Sequence, residues 1–126
     1  IINDIGNSGE NWDAAYFAGS TGNAALMSFT KAIGGRSLDD GIRVVGINPG
    51  PVATDRMLKI MRIKARDMLG DESRWEELYA KYPGKRPATV RETADLCAFM
   101  ASPRAGYITG TVVTIDGGIA ARGSVI

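Results

Sequence analysis

Residues 44–55, VVGINPGPVATD, carry the clearest architectural signal in the chain, and residues 106–118, GYITGTVVTIDGG, echo it about sixty positions later. Each is a β-branched run that ends in residues unable to continue a strand. Pro49-Gly50-Pro51 closes the first and Asp116-Gly117-Gly118 the second, so each reads as a buried parallel strand that delivers a turn. In open α/β sheets, the turns at the carboxyl ends of strands are where ligands bind.

Outward from these two strands, the remaining elements alternate. A short strand is expected at residues 1–5, a loop at 6–14, and a helix from Tyr16 to Ile33 with Gly34-Gly35 as its stop. Residues 42–48 form the next strand. After the NPGPVAT turn come two helices, 55–70 and 73–82, divided by Gly70-Asp71 and closed by Pro83-Gly84. Thr89 stands three residues before Glu92, the spacing of a capping box, and opens a helix that runs to Ala101. The last strand covers 111–116. Strand and helix alternating at these lengths predict an α/β fold with a parallel sheet and right-handed crossovers.

The chain has 126 residues, the size of one domain, and a folded chain of this length buries roughly two thirds of its extended surface. Its 15 basic and 14 acidic residues leave a net charge of +1, so charge gives no reason to expect a nucleic-acid or membrane partner. The single cysteine cannot form an internal disulfide and fits a reducing, cytoplasmic setting. Histidine is absent, which excludes histidine-based triads and His-ligated metals within the chain, and no metal site is expected.

Three segments in order, AALMSFTKAI at 24–33, INPGPVAT at 47–54 and RPATVRETADLCAFMASPRAGYITGTVVTIDGG at 86–118, resemble the C-terminal half of a short-chain dehydrogenase/reductase. The resemblance implies a Rossmann-like, doubly wound parallel sheet of which residues 1–126 form a single-domain C-terminal portion with three strands. It implies NAD or NADP as cofactor and a small-molecule substrate. The glycine-rich pyrophosphate turn and the residue that selects between the two cofactors belong to a preceding half with four more strands. Ile1-Ile2-Asn3 reads as the tail of a strand already running. That strand would present an unpaired edge, so the segment is expected to be stable only with the absent residues or with a chain that supplies them. In the family the last strand and its helix often pack across a two-fold axis, which implies a homodimer or homotetramer.

The family uses a Ser after the first of these strands, then a Tyr, then a Lys four residues on. The Tyr hydroxyl exchanges a proton with the substrate oxygen, and the Lys lowers the Tyr pKa and holds the ribose. In this sequence those three positions are Gly6, Gly19 and Asn23. Nearby residues are the candidates instead. Tyr16 precedes Asn23 by two helical turns, about 20° away around the helix and roughly 10 Å along it. Ser20, four residues after Tyr16, is its candidate hydroxyl partner, and Ser8 can replace the missing serine by a two-residue shift. Asn23 can bond a ribose hydroxyl but cannot stabilise a phenolate by charge. The bland alternative is that Tyr16 only packs the loop. Glu10 and Asp13 read as relays or as solvated loop charges. Gly19 and Gly22 read as a bare helix face for close approach of a ligand or of another backbone.

The NPGPVAT turn keeps Pro49, Gly50, Val52 and Thr54 at the family spacing. The resemblance places it against the nicotinamide ring, with backbone groups near Val52 on the carboxamide and the Thr54 hydroxyl assisting. A turn alone gives no reason for Thr54, and Pro51 adds rigidity. Residues 55–85 form a long connection and read as a substrate lid, with Met57, Leu58, Ile60, Met61, Met68, Leu69, Trp75, Leu78, Tyr79 and Tyr82 as an adaptable apolar wall or as packing for the helices. Cys97 reads as a packed thiol. Asp116-Gly117-Gly118 makes the closing turn before an ARGSVI tail. Two functions fit this pattern: an NAD(P)-dependent oxidoreductase acting on an apolar carbonyl or alcohol, and a catalytically degenerate relative that serves as a nucleotide sensor or structural subunit.

Overall fold

Val45–Pro49 (β2) is the centre of the sheet because its side chains are buried on both faces as far as Asn48. The structure, a computed structural model, describes residues 1–122. On one side of β2 lies Ile2–Asp4 (β1), in register from Ile2 opposite Val45 to Asp4 opposite Ile47. On the other lies Thr111–Ile115 (β3), from Val45 opposite Thr111 to Pro49 opposite Ile115. Both pairings are parallel, so the fold is α/β with a three-stranded parallel sheet of Rossmann-like form, ordered β1-β2-β3. Among the described residues no strand pairs with the outer edge of β1 or of β3.

Three helices complete the frame: Phe17–Gly34 (α1), Asp55–Leu69 (α2) and Val90–Ala101 (α3). In-register residues of parallel strands point to the same face. Val45 and Ile47, with Ile2, Val113 and Ile115, pack against Leu96, Cys97 and Met100 of α3 and against Ala105. The other face is more polar and belongs to α1. There Asn3 Nδ2 donates to Thr30 Oγ1 at 2.8 Å, and Asn48 Nδ2 to Met27 Sδ at 3.6 Å. The helices therefore cover opposite faces. Both connections step in the same direction across the sheet, so they have opposite hands, which corrects the expectation of two right-handed crossovers. The handedness rule applies to a short strand–helix–strand unit. The β2–β3 connection runs from residue 50 to 110 and carries α2 and several turns before α3, so its path is not set by one helix folding back on the sheet.

α1 stops at Gly34-Gly35 as expected, but without a left-handed cap. Gly35 keeps right-handed helical angles (φ −65°), and the left-handed residue that turns the chain is Gly41 (φ 71°), after a 3-10 turn at Ser37–Asp40. Gly34 is glycine for a packing reason: a Cβ there would overlap Gly110 and stand 2.6 Å from the Val44 carbonyl oxygen. The strand expected at 42–48 begins three residues later. Arg43, just before it, caps the C-terminus of α3. Its Nη1 donates to the carbonyls of Met100 (2.7 Å) and Ala105 (3.1 Å), and its Nη2 to Ala101 (3.2 Å) and Ser102 (3.3 Å). At the other end of α3 the capping box forms as its spacing predicts: Glu92 N donates to Thr89 Oγ1, and Thr89 N to Glu92 Oε2.

Residues 73–82 do not form an α-helix. Glu72–Lys81 is a chain of 3-10 turns broken at Arg74 (φ −85°, ψ 17°). Asp71 Oδ1 takes the Ser73 N–H at 2.8 Å, a local bond that competes with helical pairing at the start of the segment. The Trp75, Tyr79 and Tyr82 rings contact one another in sequence, the first pair edge-to-face and the second tilted, with centroids 5.6 Å and 5.3 Å apart. This run and α2 pack chiefly on each other. Cys97 is half-buried against the α3-face core, and burial pushes its thiol pKa up. The closing turn at 116–118 forms with Gly117 and Gly118 at positive φ, followed by a 3-10 turn at Ala120–Arg122. The last four residues of the expected tail lie outside the described residues. No described helix is long and apolar enough to cross a membrane.

Candidate active site

The loop after β1 lies flat on α1 and is tied at both ends. Its 3-10 turn, Asn7–Gly9, is seated where Gly9 has no side chain; a Cβ there would stand 2.8 Å from Ala24 N and 2.5 Å from Met27 Cε. From α1, Asn23 Nδ2 donates to Ser8 Oγ at 2.7 Å and to the Gly6 carbonyl at 3.3 Å. From β3, Thr114 Oγ1 donates to Glu10 Oε2 at 2.9 Å. Asn7 Nδ2 reaches Asp116 Oδ2 at 3.2 Å.

Asp116 joins three segments. Its carboxylate also accepts from Gly118 N at 2.7 Å and from Ala120 N at 2.8 Å. The residue is 9% exposed. Burial opposes the charge, but the bonds from Ala120, Asn7, Gly118 and Ile119 outweigh it and hold the carboxyl below its usual range. Gly50 rests directly on it, since a Cβ at Gly50 would stand 2.6 Å from Asp116 Cβ. The Gly50 N–H donates to the Ile115 carbonyl at 3.0 Å. The Ser8 loop, the NPGPVAT turn and the closing turn are thus fixed relative to one another.

Beyond Gly50, Val52 forms a parallel bridge with Ala88. The bonds of that bridge come from its neighbours: Ala53 N donates to the Ala88 carbonyl at 2.8 Å, and Ala88 N to the Pro51 carbonyl at 2.9 Å. By ladder geometry the N–H and C=O of Val52 then point away from Ala88. Its carbonyl accepts from Thr54 N at 2.8 Å, and its N–H has no hydrogen-bond partner among the described residues. Pro49, half-buried, ends β2 opposite Ile115. Thr54 has a structural task that the sequence reading missed: its hydroxyl oxygen accepts from Met57 N at 3.2 Å and caps α2. The hydroxyl hydrogen is still available to donate.

Tyr16 is not on the helix. It is the N-cap of α1, with φ −126° and ψ 30°, and is 49% exposed. Free of the N-terminal tilt of helical side chains, its ring turns forward and lies over Gly19, where a Cβ would overlap it. The bare surface of Gly19 is therefore covered by the protein's own phenol, while Gly22 faces open space. Ser20 does not serve as a partner for Tyr16: its hydroxyl is buried on the core side of α1 and makes no hydrogen bond among the described residues. No hydrogen bond joins Tyr16 to Ser8 or Asn23 among the described residues. The loop carboxylates are both engaged, Glu10 with Thr114 and Asp13 with the Ala15 N–H at 2.8 Å.

On the α3 side of the NPGPVAT turn a groove of about 600 Å³ is lined by Pro51, Tyr82, Pro83, Ala88, Ile115 and Ile119, among others. Of the expected apolar wall, Tyr82 lines this groove, whereas Met61 is buried and Trp75 and Tyr79 meet edge-to-face.

The family described as Enoyl-(Acyl carrier protein) reductase matches residues 10–120. NADPH-dependent reductase BacG of Bacillus subtilis is 36% identical over 119 residues, covering 94% of this chain and 46% of that protein. Among solved structures, L-sorbose reductase from Gluconobacter frateurii, complexed with NADPH and L-sorbose, is 31% identical with a TM-score of 0.79, over 94% of this chain and 46% of that one. A short chain dehydrogenase family protein from Francisella tularensis has a TM-score of 0.86 at 24% identity, over 97% of this chain and 51% of that one, a likeness of fold. The chain belongs to the short-chain dehydrogenase/reductase family and matches its C-terminal region. It spans about half the length of the relatives it matches.

Proposed function

We propose that the protein carrying this chain is an NAD(P)-dependent oxidoreductase that interconverts a carbonyl and an alcohol on an apolar substrate. The observation that carries this reading is the Val52 N–H, an unpartnered donor in a turn fixed by Gly50, Asp116 and the Ala88 bridge. A nicotinamide carboxamide needs such a donor, and the Thr54 hydroxyl beside it adds a second. Pro49 and Gly50 set the height of the turn. The carbonyl oxygen of Asn23 is free of the bonds that its amide nitrogen makes and can take a ribose hydroxyl.

Bound reduced cofactor supplies the hydride. The chain's own residues handle the oxygen. Ser8, its oxygen held by Asn23, can donate its hydrogen to the substrate carbonyl oxygen, and Tyr16, half-exposed at the mouth of the loop, gives the proton. With Asn23 where the family has Lys, no cation supports a phenolate, so turnover is slower than with the usual set. The region 55–85 acts as the substrate lid, with Tyr82 at the groove. Exposed Val90 and Phe99 on α3, together with the open edge of β3, support pairing into a homodimer or homotetramer.

The missing bond between Tyr16 and Ser8 favours a second reading, a nucleotide-binding subunit without turnover. Absorbance at the reduced-nicotinamide band, followed in the full-length protein with both cofactors and a panel of apolar carbonyls, separates the two. Cofactor oxidation that falls about 100-fold or more in Tyr16→Phe is the expected result. Saturable binding without oxidation would establish the second reading, and oxidation indifferent to Tyr16→Phe would remove the tyrosine from the mechanism.

A further inference from the structure

We infer that Gly19 is a positioning residue for the Tyr16 phenol, a role that rests on Tyr16 being the proton donor. A Cβ at position 19 would overlap the Tyr16 Cε1 and Cζ atoms and stand 2.6 Å from the hydroxyl oxygen. The ring therefore occupies the space from which a residue-19 side chain would start. No hydrogen bond of the phenol holds it there among the described residues, and the residue is 49% exposed. Its resting place depends on the bare Cα beneath it.

The contrast with Gly22 sharpens the assignment. Both glycines lie in the first turns of α1, where glycine is a poor helix former. No described atom lies within 4 Å of a Cβ built on Gly22, so no packing among the described residues requires glycine there. At Gly19 the requirement is the tyrosine itself. The N-cap geometry of Tyr16 completes the arrangement, because a helical residue at 16 would aim its side chain toward the helix N-terminus and away from Gly19. A phenol moved off the helix and a glycine three residues later work as one unit. Together they hold the phenol over the start of α1, with its hydroxyl oxygen 2.6 Å from where a residue-19 Cβ would stand.

The test is made in the full-length protein with Gly19→Ala, Tyr16→Phe and Tyr16→Leu. Alanine is the better helix former, so Gly19→Ala should melt at or above the parent temperature and keep the parent KM for cofactor. Its kcat should fall about 100-fold, to the level of Tyr16→Phe. A purely structural glycine would lower stability and leave kcat in place. Retention of parental kcat in Gly19→Ala, alongside a loss in Tyr16→Phe, would overturn the positioning role while the Tyr16 reading stands. NMR provides a readout independent of turnover: the Gly19 Hα resonances should carry a ring-current shift in the parent and should lose that shift in Tyr16→Leu. Gly19 resonances unchanged by Tyr16→Leu would show that the ring is not seated there, whatever the kinetics. A shift that is present while Tyr16→Phe keeps full kcat would uphold the seat and reject the tyrosine as proton donor.

Discussion

Gly50 and Asp116 share a volume that one methyl group would overfill. Because the obstructing atoms are Asp116 Cβ and Cα, at 2.6 and 2.8 Å, the neighbour cannot yield by rotating a flexible side-chain end. Gly50→Ala should therefore cost about 1–3 kcal/mol in urea unfolding, as overpacking does, and should weaken cofactor binding through the adjoining Val52. The sequence showed both residues as turn formers and stopped there. Local spacing identifies a glycine that ends a strand, but it carries no information about which carboxylate will lie under it. Asn7, which binds Asp116, stands in a loop with no periodic pattern and gave no signal. Ser20 was misjudged for a related reason: four-residue spacing placed it near Tyr16 on the assumption that Tyr16 is helical.

Among the elements, α3 was the most legible, since its capping box is a local pattern of two residues three apart. Glu92 there accepts from Arg86 and from Thr89, and these bonds lower its pKa to about 2, led by the Arg86 hydrogen bond. A carboxylate whose folded pKa is depressed gives its full contribution above the ordinary value of 4.5 and loses it as pH falls toward about 2. Unfolding midpoints measured from pH 6 to pH 2 should thus fall less steeply in Glu92→Gln than in the parent; parallel curves would reject the assignment. The other end of α3 was not legible at all, because Arg43 belongs to a segment far away in sequence. Arg43→Met should cost about 1.5–3 kcal/mol by thermal or urea unfolding, and Arg43→Lys should recover only part of it, since a single ammonium cannot span four carbonyls. The Glu72–Lys81 run misled the reading because its apolar spacing fits an α-helix and its turns are 3-10.

For the molecule as a whole, the parallel sheet followed from the alternation of strands and helices, whereas its strand order and the hands of the crossovers did not. The long β2–β3 connection reads as a string of elements and gives no hint of the face to which α3 returns. The outer edge of β1 is open, and the apolar residues Phe17, Phe29 and Ile33 of α1 are exposed. Residues 1–126 alone should consequently associate in sedimentation velocity and exchange the amides of Ile2–Asp4 rapidly, and a chain supplying the preceding strands should suppress both; a monomer with protected β1 amides would contradict this. The tie between Asn7 and Asp116 has a temporal consequence. It closes across a separation of 109 residues, so the Ser8 loop gains its clamp only after the last strand has docked. During synthesis, every shorter nascent chain carries Ser8 and Tyr16 without the final arrangement of their loop, which forms as one of the last events of folding.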